Sequence, residues 1–230
     1  MRQLDEAKLR FFTRKLLAWS RDNLRSYPWR RTRSPYRVLI AELMLRRTRA
    51  DQVLPVYRLF MRRFPTLRDF LGGTAQEILK LLKPLGLRWR ARNFISLRDY
   101  LEKHSIKVLP LEYRLLTAMP GIGDYVARAL LCFTGESPVY LVDVNVIRLV
   151  CRFFGYQNNP ELRRRKWFRE IMEALTLRKR CREFVQVTLD LPATVCLPKK
   201  PKCGICPLFR RCSYGAMLSV PPDNMGKTIL

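Results

Sequence analysis

Four cysteines near the C-terminal end are the densest chemistry in the chain: Cys196, Cys203, Cys206 and Cys212, spaced Cys-x6-Cys-x2-Cys-x5-Cys. Four thiolates within 17 residues can surround one compact metal centre. Zinc is the generic reading of four cysteines, although zinc ribbons usually present two C-x2-C pairs and this run has one. The opening stretch, Met1-Arg2-Gln3-Leu4-Asp5-Glu6, is charged and does not read as a secretory leader, so clustered cysteines point to metal before disulfides. Cys132, Cys151 and Cys181 lie singly in apolar or helical contexts and read as core. Lys199, Lys200, Lys202, Arg210 and Arg211 crowd the cysteine loop and would make it a phosphate grip.

Two further groups could act on a ligand. In Met119-Pro120-Gly121-Ile122-Gly123 the glycines let the backbone turn tightly and approach a partner. The helix that follows would begin with free amides and a dipole that favour phosphate, although an ordinary αα-hairpin gives the same pattern. Asp143 stands in Val142-Asp143-Val144-Asn145-Val146, twenty residues past Gly123, at a helix start where Asp is also a common cap. Glu42 sits among Leu39, Ile40, Ala41, Leu43 and Leu45; a carboxylate there needs a reason unless it faces solvent.

The elements that must position these groups read as short amphipathic helices. Apolar periodicity predicts helices over residues 5–24, 35–47, 50–63, 74–82, 91–103, 111–118, 124–133, 143–154, 160–176 and 180–191. Ser34 caps a helix opening on Pro35, Thr74 to Glu77 forms a capping box, and Tyr27 to Pro35 reads as a proline-broken loop. No strand alternation persists, so the fold class is all-α. The stretch from Val220 reads as a disordered tail.

Composition narrows the partner. Lys and Arg total 45 against 19 Asp and Glu, a net charge of +26. Such a surplus repels itself in a compact fold and calls for a polyanion. With 48% hydrophobic residues the chain is globular, and no apolar run approaches the roughly 20 residues of a membrane span. The expected location is the cytoplasm or nucleoid.

Met119 to Arg148 resembles the helix-hairpin-helix, Gly/Pro-rich loop and aspartate signature of the endonuclease III and MutY superfamily of DNA glycosylases, with Ser137-Pro138 in the Gly/Pro segment. Pro28-Trp29-Arg30 with Ser34-Pro35-Tyr36 looks like the entry to a MutY-type catalytic domain, Ala41 to Thr48 like its glutamate helix, and Gly86 to Asn93 like the segment that probes the minor groove. The cysteine spacing matches the family's [4Fe-4S] loop. The resemblance implies a two-lobed fold: residues 30–135 as a helical lobe with the hairpin at 113–133, residues 1–29 plus 136–219 as a second lobe with Asp143 and the cluster loop at 196–212, and a tail at 220–230.

The same resemblance assigns roles. Asp143 would stabilise the oxocarbenium-like sugar of an extruded nucleotide. Strand-nicking relatives carry a Schiff-base lysine where this chain has Tyr125, so the expected activity is hydrolytic and leaves the strand intact. Archaeal-type thymine-DNA glycosylases carry tyrosine there and resemble Leu45-Arg46-Arg47-Thr48, whereas MutY enzymes commonly carry serine and add a C-terminal domain. The expected substrate is duplex DNA with thymine or uracil opposite guanine, and Glu42 would bond the pyrimidine edge. Gly121, Ile122 and Gly123 would grip the backbone. Arg46 and Arg47 would fill the vacated gap or contact the orphan guanine, or else bind phosphate. Leu87 would be a wedge between bases, or core. A monomer is expected. The alternatives are an adenine-DNA glycosylase acting on A·G or A·8-oxoG, and a non-catalytic iron–sulfur DNA-binding protein.

Overall fold

The computed structural model describes residues 5–86, 88–135, 139–176 and 180–218. Leu87, Ser137, Pro138 and the stretch from Val220 lie outside the described residues. All regular structure among the described residues is helical. The chain divides into two compact units, one of residues 26–139 and one of residues 1–25 with 140–230.

The second unit begins and ends the chain, so its first helix comes first. Helix α1 (Glu6–Asn23) is capped by Asp5, whose carboxylate accepts from the Lys8 amide, and it buries Leu9, Phe12, Leu16 and Leu17.

The continuous unit follows. Tyr27 to Pro35 is not wholly loop: Pro28–Arg31 makes a one-turn helix, α2, with proline at its first position. A first-turn proline loses no hydrogen bond there and supplies the right φ, so Pro28 starts a helix where its residue type alone suggests a break. Trp29 is pulled into the core, stacked on Tyr27 at 4.8 Å and edge-on to Tyr57 at 5.0 Å. Helix α3 (Pro35–Leu45) is capped by Ser34 and buried on nearly every side, packing on α4 (Ala50–Arg63) and on a later helix of the unit. The short α5 (Leu67–Leu71), absent from the sequence reading, carries a Thr66–Asp69 capping box, and α6 (Ala75–Leu82) a Thr74–Glu77 one. Helix α7 (Arg88–Lys103) starts three residues earlier than its periodicity suggests. Helices α8 (Tyr113–Ala118) and α9 (Asp124–Thr134) form the hairpin, and α9 lies against α3.

The chain then returns to complete the unit that α1 began. Helix α10 (Val144–Phe154) begins at Asp143 and ends on Gly155 in the left-handed conformation. The predicted helix over 160–176 is two pieces: a 3-10 turn at Pro160–Arg164, then α11 (Lys166–Leu175), with Arg165 extended between them. Leu162 and Phe168 both enter one core, yet six residues apart they fall on different faces of a continuous helix. The break lets both inside. Helix α12 (Cys181–Thr194) packs on α1 and α10, and α13 (Ser213–Leu218) closes against α10.

Candidate functional site

In the continuous unit, the hairpin turn distinguishes its two glycines. Gly121 has φ 79°, a left-handed value that favours glycine, and a Cβ there would stand 3.2 Å from the Cβ of Asn93. Gly123 is extended at φ −91° and caps α9 without any side-chain acceptor. Ile122 is 3% exposed, so only its main chain could meet DNA here. Asp124 in the first turn of α9 accepts from Tyr113 Oη and Arg128 Nε, both at 2.7 Å, bracing the two hairpin helices. Tyr125 follows, half-buried on the same turn.

Glu42 faces inward from α3 and is 5% exposed. No hydrogen-bond partner for its carboxylate is recorded among the described residues. Burial pushes its pKa up to about 7, against a smaller opposing pull from the Arg30 charge. Its burial sets this carboxylate apart from a solvated helix residue.

Arg46 and Arg47 lie on the turn after α3, and both are exposed. Arg46 nevertheless turns toward its own unit: its guanidinium lies 5.0 Å over the Trp89 ring and Nη1 donates to the Gly121 carbonyl at 3.3 Å. Trp89, to which the sequence reading gave no role, thus supports Arg46.

In the other unit, Asp143 is the N-cap of α10. Its Oδ1 accepts from the amides of Asn145 and Val146, both at 2.8 Å, and its Oδ2 from Asn145 Nδ2 at 3.0 Å. Capping does not use the carboxylate up: the amides fix its direction, and the half-buried side chain keeps lone pairs for a further donor. Asn145 is itself held, its Oδ1 accepting from Arg148 Nη1 at 2.9 Å. Arg148 donates onward to the carbonyls of Cys196 at 3.0 Å and Pro192 at 2.8 Å. Asn145 and Arg148 were not singled out from sequence; an arginine within the apolar run Val146 to Cys151 was the available signal.

The four C-terminal cysteines line one pocket, with Leu149, Phe153, Val195, Leu208 and Phe209 among its walls. Two 3-10 turns shape the loop, Cys203–Ile205 and Phe209–Arg211, and each is followed by an extended cysteine, Cys206 and Cys212. Arg152 ties down the start of the loop, donating to the carbonyls of Leu197 at 2.6 Å and Pro198 at 2.7 Å and to Cys196 Sγ at 3.5 Å. Burial raises the Cys206 thiol to about 11, and the facing sulfurs of Cys196, Cys212 and Cys203 add to the shift. Cys203 and Cys212 move the same way, again mainly through burial. Thiolates gathered here need a compensating positive charge, which a metal group supplies. Among the described residues, no three His, Cys, Asp or Glu side chains are drawn tightly enough to ligate a single ion. Four thiols lining one pocket walled largely by apolar side chains are a donor set that fits a thiolate-held metal group. Lys199, Lys200, Lys202, Arg210 and Arg211 are all exposed around it.

Residues 40–174 match the family described as HhH-GPD superfamily base excision DNA repair protein. The chain is 32% identical over 210 residues to the thymine/uracil-DNA glycosylase of Methanothermobacter thermautotrophicus, covering 90% of this chain and 94% of that protein. It is 32% identical over 197 residues to the adenine DNA glycosylase of Mycobacterium tuberculosis, covering 84% of this chain but 64% of that protein. Among solved structures, that of a thermostable thymine-DNA glycosylase superposes with a TM-score of 0.85 at 32% identity, covering 92% of this chain and 98% of that one.

Proposed function

Because the chain belongs to the HhH-GPD superfamily of base excision DNA repair proteins, we propose that it is a monofunctional DNA glycosylase that hydrolyses the N-glycosidic bond of thymine or uracil mispaired with guanine. The observation that carries this reading is the Asp143 carboxylate, held by three N–H donors at the head of α10. As the bond to the base breaks, the sugar gains oxocarbenium character, and an oriented carboxylate stabilises that charge and directs water onto the anomeric carbon. Glu42 acts on the base. With a pKa near 7 it is partly protonated at neutral pH and can donate to a pyrimidine oxygen as negative charge gathers on the departing ring. Tyr125 offers no amine for a Schiff base, so the product is an abasic site in an intact strand.

The hairpin main chain at Gly121, Ile122 and Gly123 holds phosphate, while Arg46, Arg47 and Leu87 probe the duplex beside the extruded nucleotide. Cys196, Cys203, Cys206 and Cys212 would hold a [4Fe-4S] cluster, which when bound fixes a loop with little core of its own. The chain acts on double-stranded DNA as a monomer. Among the described residues, no helix is long and apolar enough to cross a membrane.

Adenine removal is the second reading, favoured by the similarity to adenine DNA glycosylases. The discriminating experiment incubates T·G, U·G, A·G and A·8-oxoG duplexes with the protein and cleaves abasic sites with alkali. Cleavage of the T·G and U·G strands is expected, with no protein–DNA adduct trapped by borohydride; cleavage of the adenine strand alone would reverse the assignment. Binding without cleavage of any duplex would leave a non-catalytic DNA-binding protein. Purified protein is expected to carry about four irons per chain with acid-labile sulfide. Zinc in their place would remove the cluster.

A further inference from the structure

The turn after α3 contains a conformation that needs explaining. Arg47 has φ 56°, a left-handed backbone that non-glycine residues rarely adopt and that persists only where the surroundings impose it. The local cause is a type II turn, closed by the Thr48 amide donating to the Leu45 carbonyl at 3.2 Å with Arg47 at its third position, and a second arginine braces that turn from both sides. Arg90, on α7, is 1% exposed. Its Nη2 donates to the Arg46 carbonyl and, at 2.7 Å, to Thr48 Oγ1. Its Nη1 donates to the Leu85 carbonyl at 3.3 Å. The residues on both sides of Arg47 are thus tied to one buried guanidinium, while Arg47 itself stays exposed.

The tie extends to the hairpin. Arg46 bonds the Gly121 carbonyl and lies over Trp89, and Arg90 flanks the same ring at 5.9 Å. Asn93, three residues along α7 from Arg90, packs beneath Gly121. Packing alone does not call for a guanidinium at position 90. Among the described residues its Nε is buried without a partner, and the charged neighbour acting on it, Arg46, is of like sign. An apolar side chain would fill that space without burying a charge.

We infer that Arg90 is a positioning residue: it locks the Arg46–Thr48 turn so that Arg47 meets the duplex in one preset conformation and at a fixed distance from the hairpin. The inference rests on the proposed DNA role of Arg47. Its gain is preorganisation. A long side chain on a mobile turn must be ordered when DNA binds, and here the turn is ordered beforehand.

A double-mutant cycle tests it, with Kd measured on a T·G duplex and on the matched duplex, and thermal melting as the control for folding. Arg90→Met and Arg47→Ala are each expected to weaken T·G binding about tenfold, and Thr48→Val about threefold. The decisive expectation is that Arg90→Met combined with Arg47→Ala binds no more weakly than Arg47→Ala alone. Matched duplex, held mainly through phosphates, should change by about twofold or less in each. Independent losses that multiply to about a hundredfold would overturn the positioning role. So would an Arg90→Met protein that binds as tightly as the unaltered one while Arg47→Ala is impaired. If Arg90→Met fails to fold, Thr48→Val paired with Arg47→Ala poses the same question. An Arg47→Ala protein with undiminished T·G preference would instead sink the proposed reading of Arg47.

Discussion

The two carboxylates assigned to chemistry live in opposite surroundings. Asp143 is half-buried and accepts three hydrogen bonds at the head of α10, and its amide partner is held in turn by Arg148. Glu42 is buried in α3 with no hydrogen-bond partner recorded among the described residues. The contrast teaches how one chain can keep two acids with different duties. A carboxylate aimed by fixed donors suits a charge that must always be present in one place. A carboxylate stripped of water and left without donors takes its protonation state from whatever enters beside it.

The comparison breaks most sharply at Asp143. Asp143→Asn keeps the cap and removes the charge, so single-turnover base release should fall about 10²–10⁴-fold while duplex affinity holds. Equal activity in this variant would show that the charge is not used. Glu42→Gln tests the other half through stability. Burial raises the folded-state pKa of Glu42 from 4.5 to about 7. The folded state therefore binds the proton more tightly, and stability declines as pH rises from about 4.5 through about 7, by about 3 kcal/mol in all. The variant lacks that penalty. Its melting temperature should exceed the parent's at pH 8 and lose the advantage at pH 5; parallel melting curves at both pH values would contradict the buried-acid account.

Smaller effects sharpen the Asp143 side. Arg148→Met removes the donor to Asn145, Pro192 and Cys196 and leaves the two carbonyls buried without it. Base release at saturating DNA should slow about tenfold, with Kd changed much less. Asn145→Ala deletes one bond to Asp143 but leaves both capping amides, and a loss of about threefold is expected. A larger loss than for Arg148→Met would mean that Asn145 touches the nucleotide itself.

Sequence made the helical class and most helix positions legible, because apolar periodicity and caps such as Ser34, Thr74 and Asp143 are local signals. It failed where tertiary demand overruled the local pattern. The core takes both Leu162 and Phe168, so a helix that periodicity joined is broken at Arg165. Pro28 reads as punctuation in one dimension, yet Trp29 must be turned inward, and a proline-led turn does it. At the site, residue types exposed Asp143, Glu42 and the cysteines. What supports them was invisible: Arg148, Arg90 and Trp89 act through contacts between residues far apart in sequence or hidden among ordinary basic ones, and the bonds of Asn145 to Asp143 and Arg148, though local, appear only once the helix head has folded. The sequence paired Arg46 with Arg47; only the fold shows that Arg46 turns to the Gly121 carbonyl and the Trp89 ring.

Gly121 and Gly123 carry a consequence of the same kind. The left-handed backbone and the Asn93 side chain beneath Gly121 make that position answer to the protein's interior. Among the described residues, chain neighbours aside, nothing lies within 4 Å of where a methyl on Gly123 would go. An alanine at 123 is therefore a steric antenna. Among the described residues it would meet no neighbour within that range, so under the proposed role of the hairpin any resistance to it would come from the bound partner.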